Sequence, residues 1–78
     1  MNIEAVNGEL QETMKWLAEA KPVEGMHGSY LRLVEEVMED YNAYIQHLRD
    51  EKVEEACELA ETIIGRVTAE QYNHMFVE

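Results

Sequence analysis

Five glutamates carry the chemistry this chain can offer. Glu35, Glu36 and Glu39 form one cluster, Glu58 and Glu61 a second, with 18 residues between Glu39 and Glu58. Carboxylates three or four residues apart on a helix share a face, and each like-charged pair costs a few tenths of a kcal/mol, so the spacing invites a cation. Mg²⁺, or Mn²⁺ in its place, is a hard ion that takes oxygen ligands, needs few carboxylates and keeps waters for a substrate's phosphates. Glu35, Glu39, Asn42 and Gln46 form one helical flank, and Glu54, Glu58 and Glu61 another. A fold that brings the two flanks together supplies a divalent site. The same pattern also fits the solvated side of an ordinary helical hairpin, because Glu is a strong helix former.

The elements that must position these residues are legible from periodicity. Ile3, Val6, Leu10, Met14 and Leu17 recur at intervals of three and four, which predicts a helix over 3–19, its apolar face widened by Trp16. The stretch KPVEGMHG interrupts the pattern, since Pro22 biases Lys21 away from helix and Gly25 and Gly28 suit turns. Ser29 is the expected N-cap of a second and longest helix carrying Tyr30, Val34, Val37, Met38, Tyr41, Tyr44, Ile45 and Leu48. A tight turn at 49–52, with Asp50 as N-cap, leads to a third helix with the heptad-like stripe Val53, Ala56, Cys57, Ala60, Ile63, Ile64 and Val67. Gly65 falls near the end of that helix. Thr68 and Gln71 have the spacing of a capping box, which predicts a short final helix bearing Tyr72, Met75 and Phe76. The fold class that follows is all-α: a single domain over 1–78, a three-to-four-helix bundle built on a central antiparallel helical hairpin. A core this small leaves little surplus over conformational entropy, so a dimer is expected.

The segments ELQETMKWLAEA, HGSYLRLVEEVMED and EACELAETII together resemble the MazG-like all-α nucleoside triphosphate pyrophosphohydrolase superfamily. Its signature is Glu-Glu-x-x-Glu on one helix and Glu-x-x-Asp on the next. Glu35, Glu36 and Glu39 match the first part, and Glu58 with Glu61 the second, within a similar region from about residue 9 to 64. The resemblance implies an oligomeric, Mg²⁺-dependent enzyme that splits a nucleoside triphosphate into monophosphate and pyrophosphate, or a catalytically impaired relative. By the same resemblance Glu36, Glu39, Glu58 and Glu61 are the metal ligands and Glu35 a supporting catalytic acid. Glu61 stands where the family has Asp, and Asp40 where it usually has an apolar residue. Lys15, Lys21, Arg32, Arg49, Lys52 and Arg66 are the whole supply of phosphate-binding cations.

Charge and composition point to a second class of function. Seventeen acidic against six basic residues give a formal charge of −11. That field repels nucleic acid and anionic membrane and favours cations or basic proteins. A small acidic inhibitor or DNA mimic of the phage counter-defence type, occupying a basic nucleic-acid-binding surface, fits as well as the enzyme does. A helical dimerisation module is a third reading, for which the stripe from Val53 to Val67 is sufficient. Cys57 is the only cysteine and reads as core filling in a reducing compartment. The N-terminal residues lack the pattern of a signal peptide, and no apolar run is long enough for a membrane span, so a cytoplasmic location is expected. His27, His47 and His74 form no ligand pair. The set Trp16, Tyr30, Tyr41 and Tyr44 reads as core or dimer contacts before it reads as a base-stacking pocket. No Gly-rich phosphate loop, nucleophile elbow or zinc-helix pattern is present.

Overall fold

A computed structural model describes residues 2–77. Three helices follow one another: α1 (Ile3–Glu19), α2 (His27–Arg49) and α3 (Val53–Tyr72). Asn2 caps α1, its Oδ1 accepting from the amides of Glu4 at 3.0 Å and Ala5 at 3.4 Å. α3 lies centrally and packs against both α2 and α1. Its contact stripe explains why: Ala56 and Ala60, one turn apart, are fully buried beside Cys57, Ile63 and Val67, and small side chains let both neighbouring backbones approach.

α1 and α2 are joined differently. The backbones stay farther apart, and the gap is spanned by tyrosines of α2, each of whose hydroxyls bonds to α1. Tyr44 Oη donates to Asn7 Oδ1 at 2.8 Å, Gln11 Nε2 donates to Tyr41 Oη at 3.1 Å, and Tyr30 Oη donates to the Leu17 carbonyl at 3.1 Å. Tyr44 is completely inaccessible as a residue, and burial, with smaller contributions from Cys57 and Tyr41, holds its phenol above the usual pKa of 10.0. A long aromatic body with a polar tip suits this role, since it fills the width and satisfies its own hydroxyl.

Both ends of the hairpin are closed by left-handed residues. At the end of α2 the Lys52 amide donates to the His47 carbonyl at 2.8 Å and the Glu51 amide to Leu48 at 3.1 Å, with Glu51 at φ 59°. The end of α3 repeats this with Met75 to Glu70 at 3.2 Å, His74 to Gln71 at 3.1 Å and His74 at φ 57°. This paired closure usually carries glycine, because a side chain in the left-handed region costs about 1 kcal/mol. Glu51→Gly and His74→Gly are each expected to stabilise the protein by about 0.5–1 kcal/mol, read as a higher midpoint in urea. A fall in either midpoint would show that the side chain contributes more than the strain costs.

After α3 the chain turns back and its tail clasps the α1–α2 linker. Phe76 forms an antiparallel bridge with Pro22, flanked by Val23 N–H to Met75 O and Val77 N–H to Lys21 O, both 2.8 Å. Pro22 sits between the two hydrogen bonds, where its missing N–H costs nothing. Phe76 presses edge-on against Trp16 at 4.8 Å and Tyr30 at 6.1 Å between ring centroids.

Several expected boundaries are corrected. α2 begins at His27, two residues before Ser29, and Met26 stands at its N-cap with no side-chain bond. Gly25, at φ 91°, reverses the chain early enough for Met26 N–H to reach the Val23 carbonyl, and the helix starts from that turn. Asp50 closes α2 rather than opening α3, because the left-handed residue at 51 delays the next helix; Glu54 and Glu55 supply the negative charge in its first turn. The separate final helix is absent among the described residues. α3 runs through Gly65 and Thr68 to Tyr72, and Thr68 Oγ1 bonds back to the Ile64 carbonyl at 2.8 Å instead of capping a new start. Among the described residues the bundle therefore has three helices.

Candidate functional site: the acidic faces of the hairpin

Glu35, Glu36 and Glu39 lie on α2, and Glu58 and Glu61 on α3; all five are exposed. Their positions follow from the angular step of about 100° per residue. The buried positions of α2 are Leu33, Val37 and Tyr44, which sends Glu35 and Glu39 to the opposite, outer ridge. On α3 the stripe Ala56, Ala60, Ile63 and Val67 likewise sends Glu54, Glu58 and Glu61 outward. Each ridge projects from its own helix, away from the other.

Glu36 alone stands at the seam. Its Oε2 accepts from Arg66 Nη1 at 3.2 Å, and the same nitrogen lies 3.5 Å from Asp40 Oδ2. The repulsion between Glu36 and Asp40, four residues apart, is thus relieved by an arginine of the facing helix. All three side chains are partly exposed, so the arrangement contributes at most about 1 kcal/mol.

The Arg66–Glu36 pair also fixes the register of the hairpin. Opposite the middle of Glu36 and Glu39 lies the chain near residues 64 and 65. Glu58 and Glu61 therefore sit about five residues, or roughly 7–8 Å along the axis, nearer the loop. Among the described residues no three His, Cys, Asp or Glu side chains are grouped to hold a metal ion. As folded, Glu36 and Glu39 are offset along the hairpin from Glu58 and Glu61 rather than gathered at one point. What the ridges offer chemically is two rows of exposed carboxyl groups.

The residues that sequence reasoning passed over are Asn7 and Gln11. They lie four apart on α1 and hold the hydroxyls of Tyr44 and Tyr41; the only signal was a polar pair beside the apolar stripe, matched by two tyrosines three apart on α2. His27 and His74 are exposed and His47 is half-buried. No helix among the described residues is long and apolar enough to cross a membrane. No protein-family model, curated protein or solved structure matches the chain.

Proposed function

We propose that this chain is a small acidic binding protein whose outward carboxylate ridges engage the basic, nucleic-acid-binding surface of a partner protein. The observation that supports this reading is the placement of Glu39, Glu54, Glu58 and Glu61 on exposed ridges without convergence. Carboxylates four apart on a helix rise about 6 Å, close to two phosphate steps of about 3.4 Å along a DNA strand. A formal charge of −11 on 78 residues steers such a protein toward a cationic surface. The test uses a panel of purified basic DNA-binding domains, with duplex DNA as competitor. A domain that binds is expected to be displaced by DNA and to associate roughly ten- to a hundredfold more slowly with Glu54→Lys/Glu58→Lys/Glu61→Lys. Binding that ignores both the competitor and the charge reversal would remove this reading.

A second reading, an Mg²⁺- or Mn²⁺-dependent nucleoside triphosphate pyrophosphohydrolase or an impaired relative, is favoured by two Glu-x-x-Glu pairs on adjacent antiparallel helices. Calorimetry with each metal, on the wild type and on Glu36→Gln/Glu58→Gln, decides it when run beside a hydrolysis assay. Saturable binding lost in the variant, with pyrophosphate release, establishes the enzyme; no binding and no release ends that reading.

Self-association as a helical dimer belongs to the proposal, because a three-helix core of this length is thin on its own.

A further inference from the structure

We infer that a second copy of this chain docks on the face formed by α1 and α2 opposite α3. The inference rests on the dimer proposed above and assigns it a surface. α2 carries two apolar faces. One, with Leu33, Val37 and Tyr44, is buried. The other is the heptad-spaced series Leu31, Val34, Met38, Tyr41, Ile45 and Leu48, in which Val34, Tyr41, Ile45 and Leu48 are half-buried against the edge of the core while Leu31 and Met38 stand 60% and 43% exposed. Its neighbours across the tyrosine-bridged seam are Met14, Gln11 and Ala18 of α1.

The occupant is indicated by charge. At about 100° per residue, the charged groups on this face are Glu4 and Lys15 of α1 and Glu35 and Arg49 of α2. Two acids and two bases sum to zero, so the −11 of the chain lies on its other surfaces. A second copy approaching anywhere else adds local repulsion between carboxylates; here the local charges balance, and only the longer-range repulsion of two −11 chains remains.

The four charges are also self-complementary. α1 and α2 run antiparallel, with Asn7 beside Tyr44 and Gln11 beside Tyr41, so Glu4 lies at the height of Arg49 and Lys15 at the height of Glu35. A two-fold axis along the helices lays α1 of one copy on α2 of the other, setting Glu4 against the partner's Arg49 and Lys15 against the partner's Glu35. The molecule measures 41 × 20 × 17 Å, so a contact of standard size, about 800 Å² per partner, has to use most of this long side.

Sedimentation velocity across a concentration series tests this on the full chain. The wild type is expected at twice the 9.1 kDa chain mass, and more of it in high salt, which screens the net charge. Leu31→Glu and Met38→Glu alter exposed positions, so circular dichroism is expected to remain helical while the dimer weakens by roughly a hundredfold or more. Glu35→Lys is expected to weaken it and Lys15→Glu/Glu35→Lys to restore it, while Glu58→Lys on the outer ridge does not weaken it. A wild-type monomer at roughly 100 μM overturns the dimer and this face together. A dimer indifferent to Leu31→Glu and Met38→Glu overturns the face alone. A monomer that uses this face for a different protein overturns the assignment to a second copy.

Discussion

Phe76→Ala is expected to cost about 3–5 kcal/mol, a large share of the stability of so short a chain. The magnitude comes from what the ring closes. Phe76 is buried at the end of the bundle, with its edge on Trp16 of α1 and Tyr30 of α2, while its backbone lies between the two hydrogen bonds to the linker. Truncation removes the ring and loosens the clasp at one stroke. For a chain of this length, total stability is on the order of 4–12 kcal/mol, so the loss is a large share. Urea denaturation followed by circular dichroism measures it. Phe76→Leu, which keeps most of the volume, is expected to lose less than half as much. A cost under about 1 kcal/mol for Phe76→Ala would show that the tail is an appendage and that the three helices close without it.

Ala56→Leu/Ala60→Leu is expected to destabilise by about 2–6 kcal/mol, summing two overpacked sites that are close enough to couple. Both alanines are fully buried on the face where α3 meets its neighbours. Three added carbons at each site have no space unless α3 moves away from α1 or α2. The tyrosine ties between α1 and α2 resist that movement, since Tyr30, Tyr41 and Tyr44 already fix their spacing through hydrogen bonds. Thermal melts of the double and both single variants measure the effect. Stabilisation by the leucines would mean that the core beside α3 is underpacked, contrary to the close approach described above.

The helices were largely legible from periodicity, and their ends were not. α1 occupies the expected residues, because a run of apolar positions at helical spacing, ending before Pro22, admits few alternatives. On α2 the stripe was read one position off at two places: Leu33 is buried though outside the expected set, and Met38, inside it, is 43% exposed. An apolar stripe this wide offers two edges of nearly equal merit, and only the packing of α3 selects between them. The end of α3 was misread because Thr68 and Gln71 have capping-box spacing, yet a hydroxyl can bond back to the carbonyl four residues earlier.

The candidate site shows the same division. The sequence places five glutamates on two helices and determines which side of each helix they occupy, since residue type and a fixed angular step are enough for that. Whether the two sides converge depends on how the helices rotate and slide against each other, and no local pattern encodes it. That choice was made by Ala56 and Ala60, which draw α3 into the centre, and by Arg66, which meets Glu36 and Asp40 at the seam. The sequence by itself determined an all-helical, strongly acidic chain with an amphipathic hairpin. Tertiary structure alone decided that the carboxylates point outward, that Leu31 and Met38 of α2 stay exposed, and that Phe76 closes the bundle, because each depends on the burial of side chains distant in the chain.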